Sequence, residues 1–177
     1  MATNVKKVLV GYASKHGSTH EIAEFIAARL RESGLAVETL RMASLSPEQP
    51  YDAAVLGSGI YYGSWLGDAV EFVRHNQAEL GRRPVWLFSS GPLGAHVEDA
   101  EEQPKDIASL REAIHPRGHE VFFGALDRSR LSFPERMIVK GVRAPEGDFR
   151  DWARIEDWAR GIAGELAGAA PGMESGR

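Results

Sequence analysis

Three short polar segments contain the residue types that bind ligands. The first, SKHGST, follows an apolar run and precedes a helical pattern. N–H groups and the positive end of the helix dipole attract an anion at such a helix start, and a glycine there lets the backbone approach it. The loop has neither a Lys-Ser/Thr pair nor GxGxxG, so it predicts a phosphate monoester site with neutral donors, the alternative being an ordinary capped turn. Its residues are Ser14, Lys15, His16, Gly17, Ser18 and Thr19.

The second segment, GSGIYYGSW, brings aromatic side chains together on a loop with glycines. Aromatic rings stack on planar ligands, and the glycines permit close backbone approach. The spacing GxGxxxG after a third strand differs from a dinucleotide fingerprint. The alternative is that the aromatic residues only cover a helix end. The candidate residues are Ser58, Gly59, Ile60, Tyr61, Tyr62, Gly63 and Trp65.

The third segment, SSGPLG, offers hydroxyls and backbone polar groups to the edge of a flat heterocycle. Taken alone, it is more typical of a plain turn. Its candidate residues are Ser89, Ser90, Gly91, Pro92, Leu93 and Gly94.

A metal site is not expected. His16 and His20 are four residues apart, but His16 precedes the predicted helix, and HEIAE lacks the second histidine of a zinc-protease helix.

The elements that position these segments alternate between strands and helices. Continuous apolar strands in such an order are typical of a parallel sheet covered on both faces. We expect an α/β, flavodoxin-like three-layer sandwich with a five-stranded parallel sheet in the order 2-1-3-4-5 and helices on both faces. The predicted strands cover residues 6–13, 35–40, 51–59, 84–91 and 119–126.

The segments between the predicted strands show the periodicity of helices. Ser18 and Glu21 fit a capping box at the start of the first helix, and the apolar positions from Leu66 to Leu80 predict a single helix. Further helices are expected from Asp106 and from Trp152.

Parallel pairing would bring the three polar segments to one edge of the sheet, where open α/β sheets bind ligands. One segment offers a phosphate site, one offers flat aromatic rings and one offers polar backbone. FMN has one phosphate and one large flat heterocycle, so the sequence predicts FMN as the cofactor.

The same segments resemble those of the flavodoxin-domain family. Ser14, Gly17 and Thr19 match its Ser/Thr-x-x-Gly-x-Thr phosphate loop, and GSGIYYG and SSGPLG stand where its two isoalloxazine loops stand. Within the family the chain is most similar to the menaquinone-dependent protoporphyrinogen oxidase branch, through YDAAVLGSGIYYG, FFGAL followed by ERMIVKGV, and DWARIEDWARGIA. The resemblance implies an FMN oxidoreductase that oxidises protoporphyrinogen or a similar substrate with a quinone acceptor.

The segment RSRLSFPERMIVKGVR, residues 128–143, follows the fifth predicted strand where the last helix could have followed directly. Pro134 can begin a short helix with Met137, Ile138 and Val142 on an apolar face. We expect this helix to lie beside the flavin and to accept an apolar, anionic substrate or a quinone at a membrane surface. The alternative is a helix that caps the sheet edge. The candidate substrate residues are Arg136, Lys140 and Arg143.

Composition limits the remaining functions. The 177 residues predict one domain over residues 1–167 and a flexible tail at 168–177. A net charge of -4 argues against nucleic acid, and the absence of cysteine excludes thiolate chemistry. We expect a cytoplasmic protein, with contact to the inner membrane face left open.

Three functional classes stay open at this point. The chain is an oxidoreductase acting on a small molecule or quinone, an electron carrier with a redox partner protein, or a binding module without flavin. The mild charge fits a carrier poorly. Because no histidine–carboxylate pair converges on the three loops in the sequence, we predict no catalytic side chain.

Overall fold

The computed structural model describes residues 6–45, 50–91, 103–141 and 146–168. The strands are β1 Lys7–Ala13, β2 Ala36–Arg41, β3 Ala53–Tyr61, β4 Ser64–Trp65, β5 Val85–Ser90, β6 Gly118–Phe122, β7 Ala125–Leu126 and β8 Gly147–Asp148. The α-helices are α1 Ser18–Glu32, α2 Gly67–His75, α3 Gln77–Leu80, α4 Ile107–Ile114, α5 Phe133–Gly141 and α6 Trp152–Gly168.

The central sheet has the predicted architecture. Its long strands run in the order β2-β1-β3-β5-β6, and each neighbouring pair is parallel. Counted without the short β4, which pairs antiparallel with the end of β3, this is the expected order 2-1-3-4-5. β1 and β3 are neighbours at the topological switch point, where ligands bind beyond the carboxyl ends of the strands.

Two hydrophobic layers cover the sheet because alternate strand residues point to opposite faces. Val8 and Val10 of β1 pack with α1 and α6, whereas Leu9 packs with α2 and α4. β5 divides in the same way, with Trp86 on one side and Leu87 on the other. Among the described residues, no helix is both long enough and apolar enough to cross a membrane.

The first glycine of the GSG segment serves this packing. Gly57 lies beside Phe88 in the β3–β5 register, and a Cβ at Gly57 would stand 2.0 Å from the Phe88 ring. The glycine is therefore required by a core aromatic ring that crosses the strand.

The predicted helix from Leu66 to Leu80 is in fact two helices. α2 ends at His75 and α3 begins at Gln77, with Asn76 between them. The Asn76 side chain donates a hydrogen bond to the Phe72 carbonyl at 2.8 Å, which satisfies an end group of α2 and favours the break.

The fifth predicted strand, 119–126, is also divided. β6 stops at Phe122, and Ala125–Leu126 pair instead with Gly147–Asp148 in a separate antiparallel ladder. This ladder fixes both ends of the segment that contains α5. The proposed tail lies outside the described residues, apart from Gly168 at the end of α6.

Candidate functional site

A pocket of about 650 Å³ opens at the carboxyl ends of β1, β3 and β5. The first polar segment contributes Ser14, Lys15, His16, Ser18 and Thr19, the second Gly59, Ile60, Tyr61 and Tyr62, and the third Ser90 and Gly91. The structure thus brings the three predicted segments together at one edge of the sheet. Pro92, Leu93 and Gly94 lie outside the described residues.

The first segment forms a turn that is shaped by its own side chains. The Gly17 N–H donates to the Ser14 hydroxyl at 2.9 Å, and Gly17, with a φ of 97°, is the N-cap of α1. The first N–H groups of a helix have no intrahelical partner, and they carry the positive end of its dipole. Thr19 in this turn is buried, lines the pocket, and its hydroxyl makes no hydrogen bond within the described residues.

The predicted capping box at this helix start is wrong. The Ser18 hydroxyl accepts a hydrogen bond from the Ala125 N–H at 3.1 Å, and a Glu21 carboxylate oxygen accepts from Arg150 at 2.5 Å. Both side chains are therefore used to join α1 to the segment around β7 and β8, and not to cap α1.

The second segment places its tyrosines differently from its tryptophan. Tyr61 and Tyr62 line the pocket, and Tyr62 is 81% exposed with a φ of 51°. Gly59 makes room for this arrangement, because a Cβ there would lie 3.0 Å from the Tyr61 ring and 3.2 Å from the Thr19 hydroxyl. Burial, and then the charge of Glu135, raise the pKa of Tyr61 to about 12, so its phenol stays protonated.

Trp65 lies in the core beneath the loop and is not among the residues that line the pocket. Its indole N–H donates to the Ser89 hydroxyl at 2.7 Å, and this hydroxyl is 2.8 Å from His119 Nε2. The Ser58 hydroxyl, also buried, accepts from the Leu66 N–H at 3.0 Å. These three predicted residues, Ser58, Trp65 and Ser89, support the two loops from below, and Gly63 forms the turn into β4 with a φ of 75°.

The third segment approaches the neighbouring backbone closely. Gly91, with a φ of 125°, donates its N–H to the Phe122 carbonyl at 3.0 Å. A Cβ at Gly124 would lie 3.1 Å from the Gly91 Cα, so the segments that follow β5 and β6 approach each other closely beside the pocket.

Helix α5 confirms the predicted short helix, and it stands against the first loop. Glu135 forms an ion pair with Lys15, lies 3.2 Å from His16 Nε2, and accepts from the Ser132 N–H at 2.8 Å. Hydrogen bonds from Lys15 and Ser132 lower the pKa of Glu135 to about 2. A histidine–carboxylate pair that the sequence did not reveal thus lies at the pocket.

Two of the three predicted substrate residues, Arg136 and Lys140, do not line the pocket. Arg136 donates to the Leu131 carbonyl at 3.0 Å and to the Ser129 carbonyl at 3.5 Å, so its guanidinium holds the turn before α5. Lys140 is exposed and does not line the pocket, and Arg143 lies outside the described residues. The apolar side of α5 does contribute, through Ile138 and Val139.

The sequence did not predict a further set of pocket residues, and all of them except Glu21 lie between residues 124 and 150. The full set is Glu21, Gly124, Ala125, Leu126, Asp127, Arg130, Leu131, Glu135, Val139, Glu146, Gly147, Asp148 and Arg150. One signal was present: SFPE at residues 132–135 has the capping-box spacing of Ser and Glu before a helix.

The residues present fit a flavin mononucleotide. A cradle of helix N–H groups with the Thr19 hydroxyl suits the phosphate. The two tyrosines suit a flat heterocycle. A Cβ at Gly59 or at Gly124 would make a tight contact with its neighbours, so both glycines suit the close packing around the pocket.

Comparisons with known proteins agree with this geometry. A family model described as a flavodoxin domain matches residues 9–152. The chain is 25% identical over 171 residues to protoporphyrinogen IX dehydrogenase (quinone) of Escherichia coli strain K12, covering 89% of this chain and 94% of that protein. A protein of the same name from Leishmania major is 24% identical, covering 92% of this chain and 77% of that protein.

Solved structures share the fold. A flavodoxin from Archaea has a TM-score of 0.61 at 18% identity and covers 91% of this chain and 99% of that one. Flavodoxin 2 from Bacillus cereus has a TM-score of 0.63 at 20% identity and covers 90% and 99%.

Proposed function

Because the chain belongs to the flavodoxin-domain family, we propose that it is an FMN-dependent oxidoreductase that passes electrons from a porphyrinogen-type reductant to a quinone. The observation that carries the proposal is the pocket itself. It combines the start of α1 with the Thr19 hydroxyl, two tyrosines and apolar residues of α5 in one cavity at the switch point. The relatives named protoporphyrinogen IX dehydrogenase (quinone) support the choice of substrate and acceptor.

The proposed cofactor is FMN because the cradle suits one phosphate group. Thr19 and the first N–H groups of α1 would hold it, with Ser14 keeping the loop in shape. Bound FMN supplies two-electron transfer between an organic reductant and a quinone. Tyr61 and Tyr62 would orient the ring system.

The substrate side is proposed from the apolar side chains of the 128–143 segment. Leu131, Ile138 and Val139 line the pocket, and Phe133 and Met137 on the same helix are 76% and 56% exposed. Burial of such side chains by an apolar ligand stabilises the complex by about 25 cal/mol per Å² of apolar surface. We place the porphyrinogen or quinone against this face, in contact with a membrane surface when the quinone resides there.

The first experiment is the visible spectrum of the purified protein, followed by identification of the released flavin. Anaerobic turnover is then measured with a porphyrinogen and with menaquinone analogues. We expect Ile138→Ser to raise KM for both apolar substrates while the affinity for FMN stays unchanged. Val70→Ser, at a partly buried valine of α2 that does not line the pocket, is the comparison variant. A colourless protein that binds no added FMN would contradict the proposal.

An electron carrier is the second candidate, favoured by five carboxylates around the pocket, an arrangement that attracts a basic redox partner. They are Glu21, Asp127, Glu135, Glu146 and Asp148. Each is paired with a cation of this chain, which reduces its attraction for a partner. Rapid reoxidation by a partner flavoprotein, without turnover of quinone, would select this role.

A further inference from the structure

Arg130 reaches from the segment before α5 onto the backbone of the first loop. Its Nη1 donates to the His16 carbonyl at 3.2 Å and lies 3.1 Å from where a Cβ of Gly17 would stand. A side chain at residue 17 would make this approach tight. A cation therefore lies directly against the start of α1, where Gly17, Ser18 and Thr19 offer only neutral donors.

The turn that contains Arg130 is held in place locally. Asp127 Oδ1 accepts from the Ser129 N–H at 2.9 Å and from the Ser129 hydroxyl at 2.5 Å. The other oxygen, Oδ2, is 3.5 Å from Arg130 Nε. These contacts limit the conformations of the arginine before any ligand arrives, which lowers the entropy cost of binding.

Within the described residues, Arg130 forms two ion pairs, and neither is short. Asp127 Oδ2 lies 3.5 Å from Nε, and Glu21 lies 3.6 Å from Nη1 and also binds Arg150 at 2.5 Å. Arg130 Nη2 makes no hydrogen bond or ion pair within the described residues, and Arg130 lines the pocket. The Nη2 donor of a cationic side chain is thus available beside the first loop.

We propose that Arg130 is a phosphate-binding residue of this site. It donates to the phosphate monoester of the cofactor held at the first loop and thereby favours the phosphorylated flavin over riboflavin. The inference rests on the proposed FMN-binding function. It also gives the 128–143 segment a role in cofactor retention that is separate from the substrate role predicted for Arg136 and Lys140.

The test compares Arg130→Gln with Arg154→Gln. The two arginines have similar side-chain exposure, 54% and 52%, and each contacts a carboxylate, but Arg154 lies on α6 away from the pocket. Dissociation constants for FMN and riboflavin are measured by flavin fluorescence. Loss of a hydrogen bond to a charged group corresponds to roughly a tenfold to hundredfold weaker complex. We expect Arg130→Gln to weaken FMN binding by this factor and to change riboflavin binding by no more than about twofold. Arg154→Gln should leave the binding of both flavins unchanged.

A second measurement separates this inference from the proposed function. Inorganic phosphate is titrated into the flavin-free protein while the Ser18 and Thr19 amide signals are followed by NMR. We expect phosphate to shift these signals in the wild type. The dissociation constant for phosphate obtained from the titration should be at least tenfold higher in Arg130→Gln. Equal loss of FMN and riboflavin, or unchanged phosphate binding, would overturn the role of Arg130 even if FMN binds. If the protein binds no flavin but binds phosphate in a way that depends on Arg130, the phosphate-binding role of Arg130 is supported and the proposed FMN function is contradicted.

Discussion

The hydroxyls of the first loop have different tasks, although their sequence positions look equivalent. Ser14 accepts from Gly17 and Ser18 accepts from Ala125, so both already serve the fold. The Thr19 hydroxyl makes no hydrogen bond within the described residues and lies at the pocket. It is therefore the hydroxyl best placed to donate to a phosphate.

Thr19→Val keeps the shape of this side chain and removes the hydroxyl. We expect it to weaken FMN binding by about 1.5–3 kcal/mol, the usual contribution of a hydrogen bond to a charged group, and to leave riboflavin binding unchanged. Calorimetric titration with both flavins measures the difference, with Thr19→Ser as the control that retains the hydroxyl. Equal losses for the two flavins would refute the assignment of the phosphate to this loop.

Tyr62 combines high exposure with a backbone conformation that bulky residues avoid. A left-handed residue costs about 1–2 kcal/mol unless it is glycine. We expect Tyr62→Gly to leave the free energy of unfolding unchanged or to raise it by up to about 1 kcal/mol, because relief of strain offsets the entropy of glycine. FMN should bind more weakly by about 0.5–1.5 kcal/mol through the lost ring contact.

Urea unfolding of the flavin-free protein and FMN titration provide the two readouts for Tyr62. Gly63→Ala is the opposing control, since it places a side chain at a φ of 75° and should destabilise the protein. A Tyr62→Gly variant that loses stability and keeps full FMN affinity would show that the tyrosine is structural.

At the scale of the element, α5 is attached to the first loop chiefly by polar contacts. No residue of α5 is fully buried, whereas Glu135 joins Lys15, His16 and Ser132. Local opening of such an element costs little apolar contact, so its position depends on the charge of one carboxylate.

Glu135→Gln should reduce the amide-exchange protection of α5 at pH 6 by an amount below about 1 kcal/mol, the range of exposed ion pairs. The pKa of Glu135 is lowered in the folded protein to about 2. Its contribution is therefore complete above the ordinary pKa of the carboxyl, about 4.5, and is lost as pH falls towards 2. The protection difference between wild type and Glu135→Gln should shrink over that interval.

The control for this experiment is Glu79→Gln, which removes a paired carboxylate on α3 far from α5. It should leave α5 protection unchanged at every pH. A wild type whose α5 is protected no better than that of Glu135→Gln at pH 6 would contradict the attachment through Glu135.

At the scale of the whole molecule, the sequence predicted the parallel sheet, its order and the family, all of which are confirmed. Strand runs and helix periodicity are local, and parallel pairing then brings the three loops to one edge. What the sequence could not reveal depends on distant partners. β7 pairs with β8 some twenty residues later. Ser18 binds a residue of that ladder, Glu21 binds Arg150 just after it, and Arg130 donates to the His16 carbonyl of the first loop.

One buried network joins elements across the molecule. The Trp65 indole in β4 donates to Ser89 in β5, and Ser89 contacts His119 in β6. His119 Nδ1 is buried with no hydrogen-bond partner within the described residues. Burial, and then the charge of Arg111, lower the pKa of His119 from 6.5 to about 4, so the network contains a neutral imidazole.

This network predicts the acid sensitivity of the folded state. Between pH 6.5 and 4 the unfolded chain binds a proton at His119 that the folded protein excludes, so the free energy of unfolding falls as the pH falls through that interval. With about 1.4 kcal/mol per pKa unit, discounted for partial exposure, we expect a loss of about 1–2 kcal/mol. His119→Gln, which cannot titrate, should flatten this part of the profile in urea unfolding, whereas the exposed His115→Asn should retain it. If His119→Gln keeps the wild-type slope, other groups determine the acid response, and the Trp65–Ser89–His119 network does not set it.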